Sequence, residues 1–455
     1  MLNLEAPNAQ RRSGHDMPGS AGDPSRKTGT PLERDVDRRM ALVHKLKILI
    51  LEESEGMNEG IQCLNELFDA SIGSDDICTV LARDRRALEV LDDLARQRSI
   101  RFAPARVLAL RILLNVSSLK EGAISVAGVG GLQTMLDQIR QLNVSSTAEQ
   151  LEAGNMALRS ISNLLSCTVC SGGENISVAK NLTIALTLSR KSQDVCDSAC
   201  AVLANLAMSL EGACAALDAN AHKALFSSLL PRNATVRQFI KKFIDADTPQ
   251  AASPLQTQAL WALRNLSSFP VGRERLVADL PALVAVATTL FHSDTQAAIE
   301  HAAGLVANLV NTDYGRHLAI AASTGQFCSN LLEVSVYLDN FKACDSALCI
   351  VTNMSKTEDG REAVLAANLV LPLVGILKAP GNPCRTELVL SALVNLTAGD
   401  FGREMAVIKT DVEMATWGIF ENSDKVKVRV LALALLRNTS GNYDENCINR
   451  LHYIP

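Results

Sequence analysis

Aromatic side chains are scarce in this 455-residue sequence: Phe, Trp and Tyr together make up 4% of it, although 47% of the residues are hydrophobic. An interior of that composition is built from Leu, Ala, Val and Ile, which suit thin layers of packed helices. An excess of positive charge is lacking too. Lys and Arg number 44 against 49 Asp and Glu, a net charge of −5, so nothing offsets a phosphate backbone and nucleic acid is not the expected partner. The longest apolar stretches, such as Leu280 to Phe291, are too short to cross a bilayer, and the opening MLNLEAPNAQRRSGHD has no apolar core of the secretory kind. These absences predict a chain with no membrane partner, at work in the cytoplasm with the nucleus as a second compartment.

Chemistry-bearing motifs are missing as well. The seven His residues are dispersed, with no HExxH, GxSxG or phosphate-loop pattern, and Gly128, Gly130 and Gly131 lack the preceding strand of a nucleotide loop. The twelve Cys residues have no disulfide-scaffold spacing. Cys167, Cys170, Cys196 and Cys200 allow a four-thiolate zinc site on spacing, against the alternative of buried helical thiols. The expectation is a non-enzymatic chain with no metal and no cofactor.

A period is present instead. An Asn inside an apolar helical pattern stands at Asn65, Asn115, Asn163, Asn205, Asn265, Asn308, Asn353, Asn395 and Asn438, with successive gaps of 50, 48, 42, 60, 43, 45, 42 and 43 residues. The recurring 42 to 45 is the length of a multi-helix repeat, and the longer gaps are what loop insertions produce. The phrases are alike: LRILLNVSS, WALRNLSS, SALVNLTAG, ALLRNTSG. Several give an Asn-X-Ser/Thr match that without a secretory signal does not mean glycosylation. Seven residues after the Asn comes Gly122, Gly212, Gly272, Gly315, Gly360 or Gly402, expected to end the long helix in a left-handed conformation. A second apolar segment follows, with Pro281 and Pro372 near two of its starts. Each unit therefore reads as a short helix, a second helix and a longer third helix carrying the Asn. In one such helix Ala259, Ala262, Leu263 and Leu266 form the buried stripe, while Gln258, Trp261 and Asn265 form a polar stripe beside it.

These phrases resemble the armadillo repeat of the importin-alpha and beta-catenin families, from about Asp35 to the end. The resemblance implies an all-α, right-handed α-solenoid of about nine armadillo-type repeats whose third helices line a concave groove. Residues 1–34 form a disordered tail by composition, 35–75 a capping segment, and about 231–256 an insertion. Smaller interruptions are expected at Gln141 to Gln150 and at SGGEN, 171–175. The family pattern also implies that Asn115, Asn163, Asn205, Asn265, Asn308, Asn353, Asn395 and Asn438 hold a partner's backbone, an amide having both donors and an acceptor. The alternative is that they satisfy backbone groups between repeats. Trp261 stands four residues before Asn265, as in the signal groove of importin-alpha. Arg111 and Arg159 occupy that place in their own units, and with Arg264 and Arg437 they offer a basic strip for an acidic peptide. The tail's Arg11, Arg12, Arg26 and Lys27 form a sparse split cluster of the nuclear-targeting type.

The function expected is that of a monomeric, protein- or peptide-binding adaptor or scaffold that takes a partner segment in the groove. An assembly factor or co-chaperone for cytoskeletal or ciliary complexes, and an importin-like carrier, are the rival readings.

Overall fold

A computed structural model describes residues 56–143, 145–167, 172–188, 192–230, 251–276, 295–318, 341–378, 383–400 and 411–440, with isolated positions between them. The tail, the part of the expected capping segment before residue 56, most of 231–250, the segment around Pro281 and the residues after 440 lie outside the described residues. Within them all regular structure is helical.

Nine helices carry the periodic Asn: α1 (Gly56–Ser71), α4 (Ala103–Ser117), α7 (Ala148–Ser166), α9 (Gln193–Leu206), α12 (Pro254–Ser268), α14 (Gln296–Leu309), α15 (Phe341–Met354), α18 (Pro383–Leu396) and α20 (Val426–Ser440). Each packs on the next in an unbroken row. Between them run the shorter pairs α2 (Asp75–Arg83) with α3 (Arg85–Ala95), α5 (Lys120–Gly128) with α6 (Gly131–Arg140), α10 (Leu210–Asp218) with α11 (Ala221–Leu229), and α16 (Glu358–Ala366) with α17 (Val370–Lys378). α13 (Pro270–Leu276) and α19 (Val412–Asn422) each lie singly between third helices among the described residues.

The periodic pattern sets the burial. Ala259, Ala262, Leu263 and Leu266 of α12 are at most 1% exposed, as their i, i+3, i+4, i+7 spacing requires. One apolar cluster runs from Leu64 to Leu435, so each repeat completes its core against its neighbours. Helix starts are capped as the sequence dictates: Thr147 with Gln150 and Ser253 with Gln256 form reciprocal capping boxes at α7 and α12.

Four expectations need correction. The glycine seven residues after the Asn does not end the third helix. It is the third residue of the following short helix, as with Gly212 in α10 and Gly360 in α16. A Cβ on Gly212 would lie 1.9 Å from the Leu206 carbonyl oxygen, and one on Gly360 2.0 Å from that of Met354. The absence of a side chain lets two helices cross, and no left-handed turn is involved. Left-handed residues occur elsewhere: Gly73 lies between α1 and α2, and Gly130, Asn220 and Asn368 each lie in the turn between the short helix and the second one. Second, Gly172 and Gly173 open a continuous 17-residue helix, α8 (Gly172–Leu188). That unit has one long helix where others have two. Third, α7 begins at Ala148, inside the expected interruption, and extends to 19 residues. Fourth, residues 254–256 at the end of the expected insertion are the first turn of α12.

Alanine at the crossing is therefore expected to destabilise: Gly212→Ala should lower the denaturant midpoint by an amount equivalent to about 1–3 kcal/mol. Gly375→Ala, in the middle of α17 with no neighbour within 4 Å of the new Cβ, should raise it by about 0.5–1 kcal/mol. Equal effects at the two positions would refute the crossing as the reason for the glycine.

Candidate functional site

All eight Asn residues from Asn115 onward are half-buried; Asn65, in the first helix of the row, is exposed. Seven of the eight donate through Nδ2 to the preceding Asn-bearing helix. Asn163 reaches Ser117 Oγ (3.2 Å), Asn308 reaches Ser267 Oγ (3.0 Å) and the Arg264 carbonyl (3.1 Å), Asn395 reaches Ser355 Oγ (3.1 Å), and Asn438 reaches Thr397 Oγ1 (3.1 Å) and the Val394 carbonyl (3.1 Å). Asn115 uses Ser71 Oγ (2.8 Å), Asn205 uses Ser162 Oγ (2.7 Å), and Asn265 uses the Ala204 carbonyl (2.9 Å). Asn353 accepts from Lys356 Nζ through Oδ1 (2.7 Å).

This explains the Asn-X-Ser/Thr phrase. Ser117, Ser267, Ser355 and Thr397 each stand two residues after one repeat's Asn and accept from the next repeat's Asn. Each is at most 1% exposed, and each donates its own proton to a carbonyl three or four residues back: Leu114, Arg264, Thr352 and Leu393. A buried hydroxyl with both roles filled carries no desolvation penalty. The reading of these Asn residues as links between repeats has direct geometric support, and it ties up one amide proton that a ligand's backbone would otherwise use.

The rotation of each helix sorts its side chains. At 3.6 residues per turn, the position four before the Asn lies about 40° round the axis and the position eight before it about 80° round. The Asn edge faces the preceding helix, the edge eight residues earlier faces the following one, and the position four before the Asn lies between them on the surface. From α9 onward that middle position is held by Ala201, Trp261, Gly304, Cys349, Ser391 and Ala434, a mostly small-residue strip with one large ring, in which Gly304 alone is buried.

The forward edge carries a second ladder, which reading the Asn phrase alone had missed. Glu300, Asp345 and Glu387 each stand eight residues before their Asn, and each pairs with a cation from the next helix: Lys342 at 3.6 Å, Arg385 at 2.9 Å and Lys427 at 2.5 Å. Those cations stand ten or eleven residues before their own Asn, so the signal lay in the register between consecutive repeats. Arg111, four residues before its Asn, makes a pair of the opposite polarity, with Glu152 of the next helix, and lies over the Phe68 ring. Asp197 occupies the acidic place in α9; there Gln193 Nε2 donates to it at 2.9 Å, and burial raises its carboxyl above the usual range.

Trp261 and Arg264 come together with residues of α14. The Trp261 ring stacks on His301 at 6.1 Å and 19°. The Arg264 guanidinium crosses over Gly304 and lies 3.3 Å from both Glu300 Oε1 and His301 Nδ1. A Cβ on Gly304 would be 2.3 Å from Arg264 Nε. Arg264 is therefore engaged between helices and does not form the outward basic strip. Arg159 and Arg437 are exposed on α7 and α20, far along the row from each other. Cys196 and Cys200 are buried in α9, where burial pushes the Cys200 thiol well above its ordinary value; Cys170 lies outside the described residues.

Burial, helped by the neighbouring Arg264 charge, pushes the His301 imidazole down from 6.5 to about 4. The folded state thus disfavours protonation. Its stability contribution is fully present above pH 6.5 and is lost as pH falls toward 4, and His301→Phe should flatten that part of the pH–stability curve. A curve unchanged by the substitution would refute the assignment. Asn308→Ala, which removes two bonds to α12, should cost about 1–2 kcal/mol in chemical denaturation, whereas Asn65→Ala should stay within about 0.5 kcal/mol of the parent.

No protein-family model and no curated protein matches the sequence. Among solved structures, an engineered protein from a structural genomics consortium superposes with a TM-score of 0.69 at 19% identity, covering 90% of this chain and 91% of that one. A designed armadillo repeat protein aligns over 58% of this chain and 100% of its own length (TM-score 0.47, 17% identity). A further designed armadillo repeat protein, in complex with the peptide (KR)4, aligns over 58% and 99% (TM-score 0.44, 18% identity). At these identities the likeness is one of fold. With its Asn-bearing third helices in an unbroken row and its 42-to-45-residue period, the chain has an armadillo-type repeat fold, a right-handed α-solenoid.

Proposed function

We propose that the protein is a non-enzymatic binding scaffold that receives an extended segment of a partner protein along the strip between its two ladders. One observation carries this reading: the polar needs of the third helices are met sideways, through the Asn links and the ion pairs, leaving Ala201, Trp261, Cys349, Ser391 and Ala434 partly exposed between the two ladders, with a break at Gly304, which Arg264 covers. Small residues at Ala201, Ser391 and Ala434 bring a ligand's backbone close to the helices, and Trp261 supplies one large anchor of the kind that dominates binding energies. Since one amide proton of each linking Asn is engaged with the preceding repeat, a ligand would be held through the remaining amide atoms.

The cytoplasmic, monomeric adaptor is preferred over an importin-like carrier because a Trp four residues before the Asn occurs once along the row, so repeated aromatic slots for lysine stems are lacking. The assembly-factor reading shares the same surface and differs only in its client.

A photo-cross-linking residue at Ser391, on the strip, should yield a discrete partner adduct in cells, and one at Ile124, exposed on α5, should not. Adducts from position 124 alone would place the working surface on the short helices and overturn the proposal.

A further inference from the structure

We infer that Lys342, Arg385 and Lys427 are specificity residues that make this groove reject polybasic segments; the inference rests on the binding surface proposed above. A row of carboxylates along stacked third helices is, by charge alone, a receiving surface for a ligand rich in Lys and Arg. Here Glu300, Asp345 and Glu387 form such a row, one per repeat and in the same register. Each already has a cation from the following helix within 3.6 Å, and Glu300 has Arg264 as well.

The arrangement differs from scattered surface pairing in two respects. In two of the three pairs the acid is the more buried partner: the Glu300 side chain is 18% exposed and that of Glu387 28%, against 76% for Lys342 and 72% for Lys427, whereas Arg385, 15% exposed, is more buried than Asp345 at 38%. The lysines reach in from solvent to carboxylates fixed in the helix surface, as a ligand's cation would. Each cation is also covalently part of the neighbouring repeat, so it competes at the high effective concentration of a tethered group. A polybasic ligand must displace three such tethered cations and leave them close to its own charges. A segment that is uncharged where it passes α14 to α20 meets no such opposition, and this is the class of partner the groove accepts.

The test uses the full chain and a fluorescein-labelled (Lys-Arg)4 peptide, with binding followed by anisotropy. The parent protein should show no saturable binding, whereas the variant carrying Lys342→Gln, Arg385→Gln and Lys427→Gln should bind at least about tenfold more tightly, with affinity falling as salt rises from about 50 to about 200 mM. Adding Glu300→Gln, Asp345→Asn and Glu387→Gln should abolish the gain. The exposed Lys342 and Lys427 contribute little to stability, while Arg385, 15% exposed, is the costlier substitution; a thermal melt checks folding, and the single variant Lys427→Gln, with a smaller gain, serves if the triple variant does not fold. Tight binding of (Lys-Arg)4 by the parent, or no gain in the folded variants, overturns the inference. Adducts at position 391 that persist through either result would leave the groove as the binding surface and remove only this account of its selectivity.

Discussion

The hydrogen bond from one repeat's Asn to the hydroxyl or carbonyl of the repeat before it is the interaction on which the rest of the architecture depends. Hydrophobic burial holds the third helices side by side but is indifferent to small sliding of one along another, because Leu and Ala stripes fit at several offsets. A buried hydroxyl that must both donate and accept is not indifferent. With Ser267 placed between the Arg264 carbonyl and the Asn308 amide, a shift of one residue would strand a buried polar group. The bond fixes register, and register places Glu300, Asp345 and Glu387 of the forward edge opposite cations of the next helix.

Much of this was legible in the sequence. The nine Asn positions marked the nine third helices, and the apolar spacing of Ala259, Ala262, Leu263 and Leu266 picked out the face that is buried. The Asn-X-Ser/Thr phrase recorded the link itself, since the acceptor of one repeat lies two residues after its own Asn. Other features were misread or hidden because they depend on approach between elements. The glycine seven residues after the Asn looks in one dimension like a helix terminator, and its reason is a carbonyl oxygen in the helix before it. Gly172 and Gly173 look like a breaker, yet they begin α8, whose Val178, Ala179, Leu182 and Ala185 are fully buried; packing overrode local propensity there.

The charged positions show the same division. Arg264 was read as part of an outward basic strip because it precedes an Asn, but a residue one before the Asn lies about 100° round the helix and faces α14. Gly304 leaves room for its guanidinium, and Glu300 and His301 receive it. The ion-pair ladder pairs residues of adjacent helices about forty positions apart and became visible only once the repeats were set in register.

The seven-residue step from Asn to glycine has a consequence for repeat length. It is the same in six repeats while the distance from one Asn to the next ranges from 42 to 60 residues, because both ends of the step are clamped, one by the amide link and the other by the helix crossing. Variation in repeat length therefore falls between the glycine and the next Asn, outside the clamped step, so the row of third helices keeps one register while the connecting segments vary in length.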